Sequence, residues 1–133
     1  MLMVKKRRKN WATKLYESKA GESKVVKKDN RKMGKWEIAY SKYLDALIQN
    51  GEVKWYKNNH VRFLIGEGAW YTPDFIVVLP DNSVELHEVK GFEREAAIVR
   101  FKTAGMLYPH FTWRMVTLKK GQWVETRTIR SEK

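Results

Sequence analysis

The chain has no cysteine, and only three histidines and three prolines among its 133 residues. Without thiols it forms neither disulfides nor zinc–thiolate sites. With so few histidines, an all-histidine metal site is not expected. No apolar run approaches the ~18 residues that a membrane-spanning helix requires. The opening stretch MLMVKKRRKN places its short apolar part before its charges, the reverse of a secretory signal. Together these absences lead to the expectation of a soluble, cytoplasmic protein with no membrane partner.

Negative charge is also scarce: 15 Asp+Glu stand against 27 Lys+Arg, for a net charge of +12. The imbalance is local. Residues 1–35 carry 13 Lys+Arg and 3 Asp+Glu, a net +10, whereas residues 36–133 carry 14 and 12, a net +2. The division expected is a basic, flexible arm over 1–33 and one folded domain over 34–133. The run Lys5, Lys6, Arg7, Arg8, Lys9 suits a polyanion, of which nucleic acid is the commonest, although a solvated tail would have the same composition. Within the arm, Trp11, Leu15 and Tyr16 fit either a short docking helix or incidental aromatics.

What the domain does have is apolar periodicity. Trp36, Tyr40, Tyr43 and Leu47 recur at helical spacing over 35–49, with Glu37, Ser41, Leu44 and Ile48 in the adjacent row. Gln49-Asn50-Gly51 supplies the stop. Strand-like segments follow at 52–59, 61–65 and 70–79. Pro80-Asp81-Asn82-Ser83 reads as a turn into a return strand over 84–92. A second helix is expected over 93–107, with Ala97, Phe101, Ala104 and Tyr108 as its apolar face, then strands at 111–118 and 122–129. The order helix, strands, helix, strands predicts an α/β (α+β) domain with a mixed central sheet flanked by helices.

The stretch WYTPDFIVVLPDNSVELHEVKG sets acidic residues inside apolar strands. Residues two apart on a strand share a face, so Glu88 and Lys90 point the same way. The hairpin returns the chain so that Asp74 comes beside Glu88. Two carboxylates held together against apolar surface repel each other and are costly to desolvate, and a divalent cation removes that cost. All-oxygen ligation suits magnesium or manganese. Lys90 beside such a pair could activate a water or stabilise charge on a phosphate.

At Pro73-Asp74 and Glu88-Val89-Lys90 the chain resembles the PD-(D/E)xK nuclease superfamily. The resemblance extends over 35–118, where the family's helix, three-stranded meander, helix and further strand can be read in order. Glu37 matches a further acidic position on the family's first helix. The resemblance implies a restriction-endonuclease-like core and a magnesium-dependent endodeoxyribonuclease. Asp74, Glu88, Glu37 and the Val89 carbonyl would hold the ion, and Lys90 would assist hydrolysis. It further implies cleavage to 5′-phosphate and 3′-hydroxyl ends. The small size, the basic chain and LHEVKGF resemble phage-encoded members, including Holliday-junction resolvases, so branched DNA and a homodimer are expected. A nickase, a structure-indifferent nuclease or a non-catalytic DNA-binding protein on the same fold are the other readings. The intact Asp74, Glu88, Lys90 set weighs against the last.

Other residues are assigned plainer roles. His87 is expected to be a partly exposed strand histidine. His60 and His110 carry no pattern, and Glu67 is expected to be a loop charge. Arg94, Arg100 and Lys102 on the second helix, with Arg114, Lys119 and Lys120, are expected phosphate contacts. Trp36, Tyr40 and Tyr43 are expected to pack in the core rather than stack on bases.

Overall fold

The first helical period is realised as α1, Lys35–Gln49. The structure, a computed structural model, describes residues 33–91 and 94–132. The expectations for the basic arm, including Lys5, Lys6, Arg7, Arg8 and Lys9, lie outside those residues. Helix α1 ends where the Asn50 N–H reaches the Ala46 carbonyl at 3.0 Å and Gly51 turns left-handed at φ 77°. Its buried row is Tyr40 and Leu44, with Leu47 and Ile48 half-buried. Trp36 and Tyr43, expected in the core, are 37% and 40% exposed. The seam against the sheet therefore lies closer to the row containing Leu44, which fits over Phe75 and Val77 in one cluster. The wider aromatics flank it.

Strands β1 (Trp55–Asn58), β4 (Phe75–Val78) and β5 (Val84–Val89) form an antiparallel meander. Inserted between β1 and β4 are β2 (Phe63–Gly66) and β3 (Ala69–Tyr71), which pair only with each other. The single strand expected over 70–79 is thus two. Pro73 separates them, because it has no N–H to give a ladder and cannot continue a central strand. The chain then crosses through α2 (Glu95–Leu107) to β6 (Thr112–Lys119), parallel to β5, and returns as β7 (Gln122–Ile129). The five-stranded sheet runs β1-β4-β5-β6-β7. The fold is α+β with a mixed sheet, as the order of periods predicts.

Alternation along the strands divides the core between the two helices. Phe75, Val77, Val89 and Val116 pack with Tyr40, Leu44 and Val53 on the α1 side. Tyr71, Leu86, Trp113 and Met115 pack with Phe101 and Ala104 on the α2 side. The β2–β3 hairpin joins this second cluster through Phe63 and Ile65, and the Tyr108 hydroxyl donates to the Leu64 carbonyl at 2.8 Å. Among the described residues, no helix is long and apolar enough to cross a membrane.

Candidate metal centre

The β4–β5 turn sets the register on which the centre depends. Asp81 Oδ1 accepts the Ser83 N–H at 2.9 Å and its hydroxyl at 2.6 Å, and Asn82 turns left-handed at φ 70°. The resulting ladder pairs Val78 with Val84 and Phe75 with His87. One step beyond its end, Asp74 faces Glu88. Glu88 Oε1 accepts the Tyr71 hydroxyl at 2.8 Å and the Asp74 N–H at 3.3 Å. Glu88 Oε2 lies 2.9 Å from Lys90 Nζ, as the shared face of a strand requires. Asp74 Oδ2 in turn accepts the Val89 N–H at 2.8 Å.

Electrostatics sharpen this picture. Burial, followed by repulsion from Glu88 and then Glu37, pushes the Asp74 carboxyl up to about 7. The Val89 N–H and Lys90 pull the other way and are outweighed. Burial, with the charge of Glu88 and its hydrogen bond added, also raises the Tyr71 hydroxyl far above its usual range, so it stays a donor to Glu88.

The structure thus brings Asp74, Glu88 and Lys90 together. Glu37 is close enough for its charge to act on Asp74, but its oxygens are held elsewhere: Oε2 by the Gly34 N–H at 3.2 Å, Oε1 by Asn58 Nδ2 at 3.0 Å. Asn58 Nδ2 also donates to the Asp74 carbonyl at 2.9 Å, which ties α1 to the start of β4. Among the described residues, no three acidic or histidine side chains gather as a metal-binding cluster. The donor chemistry nevertheless suits a magnesium-class ion: the donors are oxygens, and a carboxyl raised by burial and by its acidic neighbours is the kind of group that such a charge relieves.

Sequence reasoning missed Tyr71 and Asn58. The signal for Asn58 is its register: it pairs with Phe75, one step from Asp74. Tyr71 gives no comparable signal, because its approach to Glu88 depends on a hairpin that leaves the main sheet.

The opposite face of β5 carries a second polar group. His87, expected to be partly exposed, is buried, because β5 is central and α1 covers that face. Its Nδ1 shares a 2.6 Å hydrogen bond with the Tyr40 hydroxyl, and its Nε2 lies 2.9 Å from Glu85 Oε1. Arg114, expected to meet phosphate, instead donates to both Glu85 oxygens at 2.9 and 3.0 Å and pairs with Glu125. Burial opposes the Glu85 charge, but the hydrogen bonds from His87 and Arg114 outweigh it and hold the carboxyl at about 2. These side chains line a cavity of about 320 Å³ with Tyr43 and Trp123.

Arg94, Arg100, Lys102, Lys119 and Lys120 are exposed. Arg100 is near enough to Tyr71 to act on its hydroxyl. Glu67, His60 and His110 are exposed as well. Comparison with protein-family models, curated proteins and solved structures returns no match for this chain.

Proposed function

We propose that this chain is a metal-dependent endodeoxyribonuclease of the PD-(D/E)xK kind, with branched DNA as its favoured substrate. The observation that carries the reading is Asp74 facing Glu88 across a hairpin, its carboxyl pushed up to about 7, with Lys90 on the same face as Glu88. Asp74, Glu88 and the Val89 carbonyl would hold magnesium or manganese, with Glu37 beside them. The bound ion would supply Lewis acidity toward a phosphate oxygen. Tyr71 fixes the orientation of Glu88 through its hydroxyl, and Asn58 holds Glu37 and the Asp74 backbone in register. Lys90 presents an ammonium group where charge accumulates on a phosphate during hydrolysis. Arg100, Arg94 and Lys102 extend positive charge along α2 for the DNA backbone.

The test is incubation of the purified protein with labelled linear duplex, single-stranded and four-way-junction DNA, with and without magnesium. Magnesium-dependent cleavage, strongest on the junction, is the expected result. Equal cutting of all three would leave a structure-indifferent nuclease. Binding without cleavage would leave a DNA-binding module on this fold. Paired nicks in a junction require two centres, so the active species is proposed to be a homodimer. Sedimentation of the protein, alone and with a junction, checks that.

A further inference from the structure

The cavity beneath α1 lies on the face of β5 opposite to Glu88 and Lys90, and its lining crosses the whole sheet. It is lined by Glu52, just before edge strand β1, by Val77 on β4, Glu85 on β5, Val116 on β6 and Glu125 on the opposite edge strand, β7. Four strand spacings of ~4.8 Å put roughly 19 Å between those edges. A volume of about 320 Å³ drawn out over that span is a narrow channel. It suits an unbranched chain better than a ring system.

The charge of this lining runs against that of the chain. Three carboxylates, Glu52, Glu85 and Glu125, stand against the Arg114 guanidinium, in a chain of net +12. The carboxylates outnumber the cations even with His87 counted as charged. Glu85 is satisfied: Arg114 donates to both its oxygens, at 2.9 and 3.0 Å, and His87 Nε2 lies 2.9 Å away. Glu125 shares that same guanidinium, accepts the Thr128 hydroxyl at 3.0 Å and keeps a side chain 45% exposed. Among the described residues no cation pairs with Glu52. Surplus negative charge therefore sits at both ends of the channel. Between the ends, half-buried Leu47 and Leu79 and the exposed Tyr43 ring supply apolar wall.

We propose that this channel binds a linear organic cation, a diamine or polyamine. One ammonium group meets Glu52, another meets Glu125, and the methylene chain lies along Leu47, Leu79 and Tyr43. Each end gains a charge-assisted hydrogen bond, and the stem leaves water for apolar surface. A metal ion is a poorer match, because carboxylates at opposite ends of a channel cannot share one ion. An anion meets repulsion at both ends. The inference goes beyond the nuclease reading and does not use it, since none of Glu37, Asp74, Glu88 or Lys90 lines the channel.

Full-length wild type would be titrated by calorimetry with spermine, diaminooctane, octylamine and suberate, without DNA or magnesium. Saturable binding of spermine and diaminooctane is expected, with octylamine roughly tenfold weaker and suberate silent. Glu52→Gln and Glu125→Gln should each weaken diaminooctane roughly tenfold, the worth of one hydrogen bond to a charged group. Glu67→Gln, which alters an exposed carboxylate outside the lining, should leave the affinity unchanged. In wild type, the indole N–H resonance of Trp123, which lines the channel, should shift on titration with diaminooctane. That of Trp113, buried in the other cluster, should stay. This second readout requires no variant to fold. Absence of saturable binding, equal affinity for octylamine, a Trp123 resonance that does not move, or unchanged binding in either Glu52→Gln or Glu125→Gln overturns the proposal. Each of these results leaves magnesium-dependent DNA cleavage, and with it the nuclease reading, untouched.

Discussion

Asp74, just before β4, and Glu85, on β5, are pushed in opposite directions. Asp74 is raised to about 7, chiefly by burial and by Glu88. Between its ordinary value of 3.8 and about 7, the folded chain holds a proton that the unfolded chain has released, so stability falls as pH rises through that window. Asp74→Asn should therefore melt higher than wild type at about pH 8, with the gain shrinking towards about pH 5. Calorimetry across that range checks the sign. On the proposed nuclease reading, Asp74→Asn or Glu88→Gln should reduce magnesium-dependent cleavage below detection while DNA binding persists, because each removes a charge proposed to hold the ion. Glu85 behaves in the reverse sense. Its carboxyl is held at about 2, so its contribution is fully present above its ordinary 4.5 and is lost as pH falls through 2. Glu85→Gln should cost roughly 1–3 kcal/mol at neutral pH, since it weakens the hydrogen bonds made to a charged group. The difference from wild type should narrow in acid, and denaturant melts at both extremes measure it.

At the scale of the element, the hairpins explain both what the sequence discloses and what it hides. Hydrophobic period discloses α1, and with the turns it discloses the β4–β5 hairpin and the β6–β7 pair, whose partners in space are also neighbours in the chain. The split at Pro73 is hidden, since WYTPDFIVVL reads as one strand until β3 is known to pair with β2. The burial of His87 and Glu85 is hidden for a related reason. Polar residues on a strand read as solvent-facing, yet β4, β6 and α1 enclose this face, and Tyr40 and Arg114 arrive from elements far away in sequence. Placing Asp74 beside Glu88 needed only the turn and the period of two. Placing Tyr71 needed the third dimension. On the proposed nuclease reading Tyr71 orients Glu88, and Tyr71→Phe should then lower cleavage or metal affinity by roughly 10–100-fold. Manganese titration, compared with turnover at saturating metal, separates those two effects.

For the whole molecule, the decisive property is the separation of charge from chemistry. Residues 1–33 hold 12 of the 27 Lys+Arg, and none of Glu37, Asp74, Glu88 or Lys90. Each phosphate contact on duplex DNA contributes about 0.9 to the slope of log affinity against log salt. A chain starting at Gly34 should therefore bind more weakly and with a flatter slope, and the change in slope gives the number of phosphates that the arm neutralises. At low salt and saturating DNA its cleavage rate should stay near that of the full chain. Fluorescence anisotropy on junction and linear duplex at several salt concentrations measures the affinity and the slope, and a cleavage time course measures the rate. An unchanged slope would show that the arm does not touch DNA.

Strand β5 has a reading frame. Glu85, His87 and Val89 face α1, while Leu86, Glu88 and Lys90 face the other way, so both faces of one strand are committed. A residue deleted between Val84 and Glu88 would exchange the faces, sending Glu88 towards the pocket of Tyr40 and Arg114. No compensating substitution at a single position restores that. The exposed His60, in the loop that joins β1 to β2 in the other sheet, is free of this constraint, because a longer loop there can absorb an added residue without shifting the β4–β5 ladder. Single-residue deletions in β5 should thus yield insoluble protein, whereas an insertion at that loop should yield soluble, folded chain. A protein built this way should therefore accept length changes in loops outside the ladder, and in β5 should accept substitution but not deletion.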